Sequence, residues 1–241
     1  MYVPPGYKQV TVLGTKGKVY ATGYDNKGRK QTVYNKWYIE KKRKERFQRV
    51  FDLKPVFEKI SKDVADMIKH PPTAPSKKTQ IALIIRLMIL CNFRIGSHVY
   101  LQKYGSYGLT TLKWKHVHFL RNSKFEIRFI GKKGVENYAI CDDVYICRIL
   151  RKMYTKDNDF IFDVSAAEVN AFIKKYDKHA SAKDIRTWQA NVLYIKFFEE
   201  ARRKNVEGKP HSYALKKVAT LLHNTATVCK SSYIHPKLLK L

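Results

Sequence analysis

The sequence predicts an α+β protein, with a small N-terminal β segment ahead of a mainly α-helical domain that carries an embedded β-hairpin. Three observations predict it. β-branched and aromatic runs fill the first forty or so residues, charged helical patterns follow, and one alternating segment around a "GKKG" turn interrupts them. At 241 residues the chain is long enough for one large domain, or for a small one and a medium one.

The β segment is read from "QVTVLG", "KVYATGYD" and "KQTVYN", short runs broken by glycine and by the turn "DNKGRK". From Asn35 the pattern becomes "NKWYIEKKRKERFQRVFDLKPVFEKISKDVADMIKH", charged and helical with a break at Pro55. The domain boundary is placed near Lys42, giving residues 1–42 and 43–241. "HPPTAPSKK" is a proline-rich loop. The run after it, "IALIIRLMIL" (Ile81 to Leu90), contains Arg86 and is half of the roughly 20 residues that a membrane span requires, so it predicts a buried helix ending at "NFRIGS".

Between Gly105 and Ile140 the chain turns β again. "KFEIRFIGKKGVENYAI" sets Phe125, Ile127 and Phe129 on one face around "GKKG", which is a hairpin signature. The remainder reads as helical. "SAAE" (Ser165 to Glu168) is a capping box opening "VNAFIKKY". "SAKD" (Ser181 to Asp184) opens "IRTWQANVLYIKFFEEARRK", with Ile185, Trp188, Val192 and Ile195 expected on one face. Pro210 starts a last long helix running to about His223, and a segment holding Tyr233 follows.

Charge narrows the partners. The 48 Lys and Arg against 20 Asp and Glu leave a formal net charge of +28, which calls for an anionic partner, nucleic acid first. The cations are spread along the chain rather than confined to one amphipathic stretch, which argues against a membrane surface. The N-terminus has no basic-then-apolar signal pattern, and Cys91, Cys141, Cys147 and Cys229 form no CxxC pair. They are therefore expected to be reduced thiols in an intracellular compartment. His116 and His118 in "KHVHF" have no acidic or cysteine neighbours and are expected on one strand face, not on a metal.

A phosphodiester opens without metal or nucleotide when four needs are met. A nucleophile attacks, charge on the pentavalent transition state is neutralised, the leaving oxygen is protonated, and the phosphate is held in line. Arginine suits the second need because its planar fork gives two hydrogen bonds to non-bridging oxygens. Arg94 in "NFRIGS" follows the buried helix, with Gly96 permitting a sharp turn. Arg186 in "KDIRTW" is expected in the first turn of a helix, where free amides favour an anion. Lys132 sits at the hairpin tip, within reach of a departing alkoxide. Singly, each of these, like His223 and Tyr233, reads as an ordinary solvated or core residue.

Their order carries more. Arginine after a helix, lysine in a hairpin, arginine in "KDIRTW", histidine and then tyrosine in "HNTATVCKSSYIHP" resembles the signature of type IB topoisomerases, specifically the small poxvirus-like and bacterial branch. "VPPGY", "VYATGYDNKGRKQTVYN", "RIGSHVYLQKYGSYGLTTLKWKHV" and "FIGKKG" are similar to further blocks of that family, so the resemblance covers nearly the whole chain.

The resemblance implies the catalytic fold shared by tyrosine recombinases and type IB topoisomerases. It implies that Tyr233 attacks the phosphate to form a 3′-phosphotyrosyl link, while Arg94, Arg186 and His223 stabilise the transition state. Lys132 then protonates the 5′ oxygen. Lys133 is second to Lys132 for that role, because the family lysine directly follows the glycine. Lys133, Lys183, Arg29, Tyr34 and Tyr100 are implied as DNA contacts. The implied partner is double-stranded DNA, bound by a monomer with no membrane, no metal and no other cofactor. The chain opens at the "VPP" element, so the resemblance also implies a shortened N-terminal clamp over residues 1–42. Two alternatives stand beside this reading: a tyrosine recombinase, against which "KDIR" replaces an "HxLR" box, and a basic DNA-binding protein without catalysis.

Overall fold

Three antiparallel strands open the fold: β1 (Lys8–Val12), β2 (Val19–Tyr24) and β3 (Lys30–Tyr34), in the order β1-β2-β3. Asp25 closes the β2–β3 turn by accepting from the backbone amides of Lys27 and Arg29, an Asx-type turn of the kind "DNKGRK" predicts. Helix α1 (Lys36–Asp52) follows. The computed structural model describes residues 2–72, 75–206 and 210–241. It divides into two compact units, one ending at Arg49 within α1 and the other running from Val50 to Leu241. Of the proline-rich loop, Thr73 and Ala74 lie outside the described residues.

The second unit starts from amphipathic spacing. In α2 (Lys54–Lys69), Phe57, Ile60, Val64 and Ile68 recur at three- and four-residue intervals and are all buried. The helix break falls at Leu53, and Pro55 occupies the first turn, where its missing N–H leaves no intrahelical bond unmade. Helix α3 (Lys77–Cys91) is capped by Ser76, whose hydroxyl accepts from Thr79 N. It is buried on most of its circumference, through Ala82, Leu83, Ile84, Ile85, Leu87 and Met88, and forms the centre of the larger core. Each of these leucine, isoleucine and methionine side chains contributes roughly 1.5–3 kcal/mol by leaving water.

Helix α4 (His98–Tyr104) leads to a second antiparallel sheet of β4 (Val117–Phe119), β5 (Phe125–Ile130) and β6 (Glu136–Cys141), in the order β4-β5-β6. Phe125, Ile127 and Phe129 face the core, as their alternation requires. The two histidines do not share a strand face. His116 ends a 3₁₀ turn before the strand begins and is buried, its Nδ1 accepting from Lys113 N, whereas His118 is exposed on β4.

The remaining helices are α5 (Val144–Met153), α6 (Ala166–Lys174), α7 (Ala182–Arg203), α8 (Pro210–Leu221) and α9 (Ala226–Ser232). Ser165 and Glu168 make the reciprocal bonds of a capping box at α6. On α7 the expected stripe holds only at its start. Ile185 is buried, but Val192 and Ile195 are exposed. The buried face instead runs through Thr187, Ala190, Tyr194, Phe198 and Ala201, because α8 packs along that side. A second core joins Ala190, Tyr194 and Phe198 to Ala214, Val218, Leu222, Cys229 and Ile234, and so anchors the chain around Tyr233. All four cysteines are free and buried. Among the described residues no helix is long and apolar enough to cross a membrane.

Candidate active site

Arg94 is delivered by the end of α3. Asn92 terminates the helix in the left-handed region, and Arg94 O then accepts from Leu109 N at 3.0 Å while Ile95 O accepts from Thr110 N at 2.8 Å. Gly96, at φ +85°, lets this strand of chain cross Gly108 backbone to backbone. A Cβ on Gly96 would stand 2.8 Å from Gly108 Cα, and one on Gly108 would stand 2.4 Å from Gly96 Cα. The arginine therefore springs from a pinned main chain. Its Nη2 donates to Asn224 Oδ1 at 3.0 Å.

Arg186 is placed differently from the sequence expectation. Helix α7 begins at Ala182, so Arg186 falls in the second turn, and the Ser181 hydroxyl already accepts from the Asp184 amide at the helix start. Free helix amides therefore do not lie at this position. The guanidinium is buried: Arg186 is 4% exposed, its Nη2 donates to Leu222 O at 2.6 Å, and among the described residues Nε and Nη1 have no hydrogen-bond partner. Burial pushes its pKa down, with the Arg94 charge adding to that and Tyr233 opposing it. A buried guanidinium with two nitrogens unsatisfied is costly unless something anionic completes it.

Tyr233 ends α9. Its amide and that of Ile234 both donate to Cys229 O, at 2.9 and 3.0 Å. Asn191, one turn of α7 beyond Arg186, holds the far side: its Nδ2 donates to Tyr233 O at 2.8 Å and its Oδ1 accepts from His235 N at 2.7 Å. Arg186 Cζ lies 5.6 Å from the centre of the Tyr233 ring. Burial raises the phenol's pKa, and the charges of Arg186 and Arg94 outweigh it, so the net shift is downward. Cys229 beside them is pushed up to about 11 by burial, so its thiol leaves the arginine charge unneutralised.

His223 follows α8 with φ 49° and stacks on Phe93 at 5.7 Å between ring centres. Burial, then the charges of Arg186 and Arg94, lower its pKa, which keeps the imidazole neutral at physiological pH. The next residue, Asn224, has the direct contact with Arg94, and its Nδ2 donates at 3.3 Å to Leu222 O, the same carbonyl that Arg186 uses.

Lys132 is exposed at the β5–β6 tip and, among the described residues, makes no hydrogen bond or ion pair. Its hairpin is nevertheless tied to the cluster, since Phe129 packs edge-on against Phe93 at 5.0 Å and Phe93 stacks on His223. The structure thus gathers Arg94, Arg186, His223 and Tyr233, with Lys132 on an adjoining arm.

Five further residues were singled out in the sequence. Lys133 is exposed with φ 66°, and Lys183 is exposed on α7 three residues before Arg186. Tyr100 is 56% exposed on α4, tilted against Tyr104. In the first unit, Arg29 Nε donates to Asp25 Oδ2 at 2.7 Å, and Tyr34 is exposed on β3 and tilted against Tyr38. Asn191 and Asn224 were not anticipated. Asparagines in mid-helix and in a loop carry no sequence signal, and only their long-range bonds reveal them.

Comparison with known proteins gives the family. Residues 29–240 match the family described as eukaryotic DNA topoisomerase I, catalytic core. The DNA topoisomerase 1B of Acanthamoeba polyphaga mimivirus is 29% identical, over 96% of this chain and 75% of its own length. The DNA topoisomerase 1 of Rabbit fibroma virus is 26% identical, over 88% of this chain and 68% of its own. The DNA topoisomerase 1B of Vaccinia virus (strain Copenhagen) is 25% identical, over 91% and 71%. With the match running through the arginine turn, the hairpin, α7 and the Tyr233 segment alike, this chain belongs to the DNA topoisomerase I catalytic-core family.

Proposed function

We propose that this chain relaxes supercoiled duplex DNA as a type IB topoisomerase, by reversible transesterification at Tyr233. The observation that carries the reading is the buried Arg186 guanidinium, two of whose nitrogens are unsatisfied, beside the ring of a tyrosine whose phenol is made more acidic by two arginines.

In the proposed step, the Tyr233 oxygen attacks the scissile phosphorus as its phenolic proton departs to solvent. An O–P bond forms and the bond from phosphorus to the 5′ oxygen breaks. Arg186 and Arg94 hold the non-bridging oxygens, where a pair of forks neutralises charge that grows on approach to the pentavalent transition state. The pair His223 and Asn224 supplies the remaining polar groups, the neutral imidazole donating one N–H and Asn224 aligning Arg94. Lys132 gives its proton to the departing 5′ oxygen. Phosphodiester energy is kept in the phosphotyrosyl bond, so attack by the 5′ hydroxyl reverses the step with no nucleotide consumed. Rotation of the free end between the two attacks changes the linking number.

Residues 43–241 are assigned the catalytic fold shared by tyrosine recombinases and type IB topoisomerases, and residues 1–42 a DNA-gripping role that includes Arg29 and Tyr34. Exposed Tyr100, Lys133 and Lys183 act as contacts to the duplex, and a monomer suffices.

The test is relaxation of plasmid DNA in EDTA without ATP, comparing the wild type with Tyr233→Phe. Relaxation of both positive and negative supercoils, abolished by the substitution, is the expected result. Binding by both proteins with relaxation by neither would overturn the reading in favour of a DNA-binding protein.

A further inference from the structure

The hairpin that carries Lys132 has a polar residue in its buried face. Phe129 and Asn137 are opposite one another across β5 and β6, and both are buried, Asn137 at 2% exposure. An aliphatic side chain would fill such a core-facing strand position at less cost, because a buried amide must find partners. Asn137 finds one in the tip. Its Nδ2 donates to Val135 O at 2.9 Å, and Val135 O also accepts from Gly131 N at 2.8 Å. Gly134 N closes the tip onto Gly131 O at 3.1 Å. The Asn137 amide also fills the space beneath Gly131: a Cβ on that glycine would stand 2.4 Å from Asn137 Nδ2 and 3.2 Å from its Cγ. Gly131 has φ −100°, which any residue adopts, so what opposes a side chain there is this contact, and a Cβ would require the Asn137 amide to shift. Lys132 is the next residue, exposed and, among the described residues, without a hydrogen bond or ion pair of its own side chain.

We infer that Asn137 is a positioning residue for Lys132, fixing the hairpin tip so that the ammonium meets the 5′ oxygen as it leaves. The inference rests on the proposed reading of Lys132 as general acid. A lysine side chain has four rotatable bonds, so its delivery depends on where its Cα is held, and a displacement on the order of 1 Å costs about a hundredfold in rate. Asn137 reaches no substrate itself. It acts through the shape of the turn.

The test is single-turnover cleavage of a duplex containing a cleavage site mapped for this enzyme, with either oxygen or sulfur as the 5′ leaving atom. A thiolate leaves without protonation, so sulfur removes the need for a general acid while the other requirements remain. Lys132→Ala is expected to be slow on the oxygen substrate and near wild type on the sulfur one. Asn137→Ala is expected to lose about tenfold to a hundredfold on oxygen and to recover most of it on sulfur, with DNA binding unchanged. Equal slowing on both substrates, or none on either, overturns the inference while Lys132 keeps its role. If sulfur fails to restore Lys132→Ala, the general-acid reading falls and this inference falls with it. Should Asn137→Ala not fold, Asn137→Ser is read against the same outcomes, its shorter hydroxyl leaving Val135 O out of reach.

Discussion

Arg94 and Asn224, 130 residues apart in the chain, are joined by a hydrogen bond of 3.0 Å from Nη2 to Oδ1. The acceptor is a neutral amide, so the bond aligns the arginine fork without pairing it to a carboxylate. Asn224→Ala should slow single-turnover cleavage about tenfold to a hundredfold, with little change in DNA affinity. His223→Ala should cost at least as much, because in the proposed mechanism its N–H meets the phosphate itself while Asn224 acts through Arg94. Equal rates for wild type and Asn224→Ala would remove Asn224 from the machinery.

Asn191 makes two bonds across Tyr233, to its carbonyl and to His235 N. Asn191→Ala frees that segment, and cleavage and religation should both slow by about tenfold or more, since in the proposed mechanism one tyrosine serves both directions. Asn191→Asp keeps the acceptor for His235 N but loses the donor to Tyr233 O, and should fall between the two. Rates of the covalent and religation steps, measured separately on one substrate, check this.

The buried Arg186 is expected to trade stability for chemistry. Replacing a buried, half-satisfied cation by an apolar residue of similar length removes a desolvation cost. Arg186→Met should therefore abolish cleavage yet raise stability by about 1–3 kcal/mol, or roughly 2–4 °C of Tm for each kcal/mol in a protein of this size. A drop in Tm would mean that the bond to Leu222 O outweighs the burial cost.

Stability should fall with acid through His116. Burial, followed by the charges of Lys115 and Lys113, lowers its pKa to about 4. The unfolded chain takes up that proton near the ordinary value of 6.5 while the folded one does not, so its contribution is present above pH 6.5 and declines toward pH 4. Protonation would also break the bond from Lys113 N to Nδ1. The loss is on the order of 3 kcal/mol when complete. In urea titrations between pH 7 and 4, His116→Gln should flatten the slope. A slope identical to that of the wild type would assign acid sensitivity elsewhere.

Much of this was legible beforehand, and for identifiable reasons. The Phe125, Ile127 and Phe129 alternation and the Ser165–Glu168 box are local patterns whose partners lie within a few residues, and both were found as expected. The buried face of α7 was not, because the neighbour that decides it, α8, is brought in by tertiary packing. The same division runs through the site. Arg94 and Gly96 could be read from one short stretch, whereas Arg186 owes its character to Leu222 O and to burial, which no helix-terminus argument supplies. Asn137 was invisible because a strand asparagine gains meaning only from the glycine across the turn.

The spread of these contacts along the chain also sets a schedule for synthesis. Arg94 waits for Asn224, Arg186 for Leu222, and Asn191 for Tyr233 and His235. A polypeptide emerging from the ribosome therefore carries Arg94 and Arg186 well before the residues that complete their surroundings have been made. On the proposed mechanism, a product that ends before Tyr233 lacks the phenol needed to open a phosphodiester.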